Sequence, residues 1–138
     1  PGILLVLAAP GVPVRDYTDE MIVKMSASDE YGADFGAAVM ANLVSEEDNV
    51  RQVAAKIALG EADAGVVYAS DVTPDLAANV LVLDVPDAFN TVAAYPIATV
   101  SESANPATAQ AFVDFMFTEP VQCGILKRWN FIPVRKCE

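Results

Sequence analysis

The residues able to do chemistry in this 138-residue chain are few, and the most informative fact about them is an absence: there is no histidine. The commonest general base and the commonest metal ligand are therefore missing. No Ser/His or Cys/His pair can be assembled, and no G-x-S-x-G elbow, Walker loop or G-x-G-x-x-G fingerprint occurs. Acids are plentiful, and Glu46-Glu47-Asp48 is a dense run of them. Acids ahead of a helix complement the positive end of its dipole, so this run reads as a helix start rather than a carboxylate pair for acid–base work. The two cysteines, Cys123 and Cys137, are too few for a zinc site. They are compatible with one disulfide in an oxidising compartment or with two free thiols. The expectation is a non-enzyme with no cofactor and no metal cation held by the protein.

What remains is hydrogen-bond donation. Three places offer it: Pro13-Val14-Arg15-Asp16, where a strand hands over to a helix; Asn49-Val50-Arg51, where an amphipathic helix begins; and Tyr68, which closes the apolar run Gly65-Val66-Val67. The first N–H groups of a helix have no intrahelical acceptor and suit an oxyanion. A tyrosine hydroxyl adds a neutral donor. Spacing alone leaves the bland alternatives standing, with Tyr68 as a half-buried core residue and Val50 as an ordinary helix residue.

The elements that would position these residues follow from hydrophobic patterning. Ile3 to Ala9 is a continuous apolar run closed by Pro10-Gly11, the pattern of a buried parallel strand. Val12-Pro13-Val14 reads as an extended connector, and Asp16 opens a helix with Tyr17, Met21, Ile22 and Met25 on one face. A small-residue helix follows over about 33–41, then a short strand at Leu43-Val44. Ser45 with the following acids predicts the start of the next helix, whose face carries Val50, Val53, Ala54, Ile57 and Ala58 and which stops at Gly60. Residues 64–69, 80–85 and 131–134 read as strands, and 92–100 as a longer extended segment in which Pro96 disfavours a mid-sheet position. Two helices close the chain, one after Asn105-Pro106 and one from Glu119-Pro120 to about Trp129. The order is that of an α/β fold with a mostly parallel sheet. In such sheets the strand C-termini and helix N-termini collect along one edge, where ligands bind.

Composition narrows the partner. Eight basic residues against nineteen acidic ones give a net charge of −11. That excludes nucleic acid and an anionic membrane surface as partners, but not a small anion held by backbone N–H groups. The chain opens at Pro1 and contains neither a signal-like segment nor an apolar run long enough to cross a membrane, which leaves its compartment open at this stage.

The stretch from Asn49 to Asp71, with the segments Asn49-Val50-Arg51-Gln52-Val53 and Ala55-Lys56-Ile57-Ala58-Leu59-Gly60-Glu61-Ala62-Asp63-Ala64-Gly65-Val66-Val67-Tyr68-Ala69-Ser70-Asp71, resembles the molybdate/tungstate-binding proteins of ABC importers. Further matching segments follow in order: Asn90, Tyr95-Pro96-Ile97-Ala98, Ala111-Phe112-Val113-Asp114-Phe115 and Trp129-Asn130-Phe131-Ile132-Pro133-Val134. The resemblance implies a type II periplasmic binding protein, in which two α/β lobes close over a tetrahedral oxyanion held by neutral donors. Carried onto this chain, it implies ligand contacts from the backbone N–H of Val14, the backbone N–H of Val50 and the Tyr68 hydroxyl. Arg15 departs from the pattern, which has a small residue there, and either reaches the anion or crowds the loop.

The resemblance further implies that residues 1–91 form the second ligand-binding lobe. Residues 92–138 then hold the crossing segment and the C-terminal helices that complete the first lobe, whose N-terminal part, with its serine ligands, is not in this chain. The expected partners are molybdate or tungstate and the membrane permease of the importer, in a periplasmic or extracellular setting with the parent protein tethered to the membrane in some cases. Other readings on the same scaffold are a sulfate or phosphate binder and the effector-sensing domain of a transcriptional regulator. The apolar faces near 112–117 and 121–129 predict a homodimer or a segment exchange between chains.

Overall fold

The computed structural model describes residues 2–137. It divides into two compact units, Pro1–Val92 and Ala93–Glu138. The first is α/β. Its sheet has three parallel strands in the order β2-β1-β3, with β1 at Leu5–Ala8, β2 at Leu43–Glu47 and β3 at Ala64–Gly65. All four residues of β1 are buried, as befits a central strand covered on both faces. Parallel neighbours need crossovers. The first consists of α1 (Pro13–Ser26) and α2 (Phe35–Met40), and the second of α3 (Val50–Ala58). Because the chain steps to one side of β1 and then back across it, right-handed crossovers put these two connections on opposite faces of the sheet.

The local chemistry explains where each element begins. Ala9-Pro10-Gly11-Val12 is a tight turn in which the Val12 N–H donates to the Ala9 carbonyl at 3.1 Å, and Gly11 takes φ +90°, which a type II turn after proline requires. Helix α1 then starts at Pro13, three residues ahead of the expected Asp16. Proline at the first helical position lacks only an N–H that has no partner there anyway, and its φ is already helical. The sequence reading of Pro13 and Val14 as an extended connector is thus corrected. The buried face of α1 is Val14, Thr18, Ile22 and Met25, with Tyr17 and Met21 half-buried beside it. Thr18 satisfies its hydroxyl on the Val14 carbonyl at 2.8 Å.

A second correction concerns Ser45 to Glu47. These residues do not start a helix; they are the second half of β2, and Asp48 and Asn49 form the connection. The N-cap of α3 is Asn49, whose side chain accepts from the Gln52 N–H at 3.1 Å. The acids face a neighbour instead of a dipole. Glu47, largely buried, receives Lys56 at 2.5 Å, and Ser45 bridges to both of them. The expected stop at Gly60 is present: φ is +70°, Gly60 N–H donates to Ile57 and Glu61 N–H to Lys56, the two bonds of a Schellman ending.

Three expected strands are shorter than the pattern suggested or absent. Of 64–69, only Ala64 and Gly65 pair with β1, after which the chain leaves the ladder and enters a 3-10 turn at Ala69–Asp71. Residues 80–85 are irregular, and Leu81 and Leu83 are 84% and 78% exposed. Residues 131–134 are irregular as well. A strand is a property of a pair, and among the described residues neither run finds a neighbouring ladder. A short helix α4 (Pro74–Ala77), capped by Thr73, lies between the 3-10 turn and residues 80–85.

The second unit is built from α5 (Pro106–Met116), a π-helical turn at Pro120–Leu126 and a 3-10 turn at Lys127–Trp129. The expected single helix from Glu119 to Trp129 is therefore two tighter and looser turns in series. The cysteine alternative is resolved: Cys123 and Cys137 are bonded, with Cα atoms 5.5 Å apart. Buried Gln122 fixes the same tail, donating to the Met116 carbonyl at 2.8 Å and accepting from the Val134 N–H at 3.0 Å. Among the described residues no helix is long and apolar enough to cross a membrane.

Candidate functional site

The three sequence-derived donors lie along one edge of the first unit. Val14 is the second residue of α1, just beyond the C-terminal end of β1. Val50 is the first residue of α3, just beyond β2. Tyr68 follows β3 by three residues. The strand ends are themselves tied, with the Ala9 N–H donating to the Glu47 carbonyl at 2.8 Å. All three side chains pack on one apolar cluster of Val6, Ala8, Val53 and Ala62: Val14 is part of it, and Val50 and Tyr68 are seated against it. Thus one patch of core sets the positions of all three residues.

The backbone N–H groups of Val14 and Val50 belong to the first turns of their helices, where no carbonyl four residues earlier is available inside the helix. Both point along the dipole's positive end. The Asn49 cap takes the Gln52 N–H, two residues past Val50, and leaves the first helical position to an outside acceptor. Tyr68 is half-buried and meets Tyr17 of α1 edge to face, with ring centroids 6.1 Å apart and planes at 70°. Tyr17, one turn after Val14, is a positioning contact that the sequence reading had placed only on the core face. Tyr68 also borders an open cleft of about 830 Å³ between the β3 segment and residues 79–85.

Arg15 is engaged within the first unit. Its guanidinium folds down against the strand ends, donating to the Ala8 carbonyl at 3.1 Å, to Asp19 at 2.8 Å and to Glu46. The Glu46 carboxylate, with Asp19, raises Arg15 above its ordinary value, against the lowering effect of burial. The residue is only 9% exposed and is bonded to groups of β1, α1 and β2, so its charge is neutralised locally. The i,i+4 spacing to Asp19 was the available sequence signal for this arrangement.

Asp71 was not singled out by the sequence reading either. Its Oδ2 is buried and has no hydrogen-bond partner among the described residues. Burial pushes its carboxyl up, while a hydrogen bond from the Tyr68 backbone and the charge of Arg51 pull the other way. Among the described residues no group of three or more His, Cys, Asp or Glu is placed to hold a metal ion. The assembled chemistry is that of neutral donors at helix N-termini plus a phenol, which suits recognition of an anion by hydrogen bonds.

Comparison with known proteins finds relatives. The chain is 34% identical over 113 residues to the molybdate-binding protein ModA of Mycobacterium bovis and, equally, to that of Mycobacterium tuberculosis. These matches cover 82% of the chain and 38% of each relative, so the chain spans well under half the length of the relatives it matches. No solved structure matches it. A model of the bacterial extracellular solute-binding proteins matches residues 1–129. On that match, which takes in the strands, helices and turns described above, the chain belongs to the bacterial extracellular solute-binding protein family.

Proposed function

We propose that this chain is the oxyanion-contacting lobe of a molybdate-binding component of an ABC importer, a transport role without chemistry. The observation that carries the reading is the convergence of Val14, Val50 and Tyr68 on one apolar cluster at the C-terminal edge of a parallel sheet. The similarity to ModA proteins supplies the anion; tungstate shares its tetrahedral shape and charge. In this reading the N–H groups of Val14 and Val50 and the hydroxyl of Tyr68 donate to the oxygens of one tetrahedral anion. Residues 1–91 act as the second lobe, and 92–138 as the crossing segment with the helices that complete the first. The setting is periplasmic or extracellular, consistent with the Cys123–Cys137 disulfide, and the further partner is the membrane permease.

Three donors to a charged ligand contribute about 5–9 kcal/mol in all, against an association cost of about 4–15 kcal/mol. The chain by itself therefore binds at about millimolar affinity or weaker. A thermal-shift panel of molybdate, tungstate, sulfate and phosphate at matched ionic strength tests the reading. At about a hundredfold excess over Kd, molybdate and tungstate stabilise the chain by about 2.7 kcal/mol and the other two do so less. Equal shifts with all four anions would remove the assignment to molybdate.

A further inference from the structure

We propose that Asp71 positions Tyr68 and couples anion binding at this site to uptake of a proton; the inference rests on the oxyanion reading above. Asp71 closes the 3-10 turn that begins after Tyr68. Its own N–H donates to the Tyr68 carbonyl at 2.9 Å, and its carboxylate accepts from the Tyr68 backbone. The turn that holds the phenol is thus fastened at both ends by one residue. The charge acting on this carboxylate from the neighbouring element is that of Arg51 in α3, the residue directly after Val50. Asp71 therefore stands in electrostatic contact with the segments that carry two of the three proposed donors.

The carboxylate is half satisfied. One side is held by the Tyr68 backbone, while Oδ2 is buried without a donor. An ionised oxygen in that position is costly, and burial accordingly favours the protonated acid. A proton from solvent settles on Oδ2. The other oxygen still accepts from Tyr68, so the turn keeps its geometry while the negative charge disappears. An incoming anion gains from that loss of like charge. Oxyanion affinity then rises as pH falls through the elevated Asp71 value. Reciprocally, bound anion raises that value further.

The test is an NMR titration of this chain read at the Val14, Val50 and Tyr68 amides, with sodium molybdate at about pH 8 to report the site and with sodium sulfate, which stays a tetrahedral dianion in mild acid, above and below the Asp71 titration as followed at its own carboxyl carbon. It is run on wild type, Asp71→Asn and Asp71→Ala. Asparagine keeps an acceptor for Tyr68 without a charge, and alanine removes both. The expected result has three parts. Wild-type sulfate affinity rises about tenfold as Asp71 takes up its proton, one unit of coupling. Asp71→Asn binds at the low-pH wild-type level on both sides of that titration, and Asp71→Ala binds more weakly than either. A wild-type pH response retained in Asp71→Asn would come from the ligand or another group and would overturn this inference alone. Absence of any molybdate shift at the three amides in wild type at about pH 8 would overturn the oxyanion site and this inference with it.

Discussion

A Cβ placed on Gly65 of β3 would stand 2.8 Å from Cγ1 of Val53 in α3 and 3.0 Å from the Val6 carbonyl of β1. Val53 is fully buried and is the point where α3 presses on the sheet. The helix can lie this close only because position 65 carries no side chain. Gly65→Ala forces the helix away and costs about 1–3 kcal/mol of stability, measured as a lower urea midpoint. Because Val50 rides on the same helix, the variant also shifts the Val50 and Tyr68 amide resonances. An unchanged midpoint would mean that the contact between α3 and β3 is looser than described.

Asn49 gives the second prediction. Its side chain is the cap of α3, and Asn49→Ala removes that acceptor at a cost of about 1 kcal/mol. Asn49→Asp and Asn49→Ser retain it and lose little. Urea unfolding of the three variants separates a capping role from a general effect of substitution at 49.

The third prediction follows from Glu47. Lys56 above all, and then Ser45, hold its carboxylate below its ordinary value of 4.5. A depressed carboxyl contributes stability that is fully present above the unfolded value and is lost as pH falls through the folded one. The contribution is thus intact above about pH 4.5 and disappears progressively below it. Glu47→Gln abolishes this part of the acid dependence. Urea midpoints of wild type and variant, followed from about pH 6 to about pH 3, converge at the acid end; parallel curves would contradict the assignment.

How much of this was legible in the sequence depends on whether a feature is local. The Asn49-to-Gly60 helix and its stop were readable because cap, apolar period and Schellman glycine all lie within twelve positions of one another. So were the strand-to-helix and strand-to-turn junctions that carry the three proposed donors, which the apolar runs mark out. The failures are non-local. Ser45 to Glu47 look like a helix start until β1 supplies a ladder partner and Lys56 supplies a cation. Residues 80–85 look like a buried strand because alternation of Val and Leu says nothing about whether a neighbour exists. Arg15 and Asp71 owe their roles to Glu46 and Arg51, thirty-one and twenty positions away, distances at which no periodicity speaks.

Self-association is the fourth prediction. Phe112 and Phe115 of α5 are 57% and 52% exposed, and Trp129 is 44% exposed. Apolar faces of this kind are covered by a partner when one is at hand. Light scattering at high protein concentration returns a dimer mass, and Phe112→Lys with Phe115→Lys lowers it to that of a monomer. A monomer for the unmodified chain at every concentration would count against the dimer.

The central claim is that Val14, Val50 and Tyr68 form one anion site. The measurement that reaches it most directly is an amide-resolved NMR titration of this chain with molybdate at neutral pH. The account predicts shifts concentrated at Val14, Val50 and Tyr68, sharing a single dissociation constant of about 1 mM or weaker, with Tyr68→Phe weakening all three together. Shifts centred elsewhere on the chain, or different constants at the three amides, would contradict it.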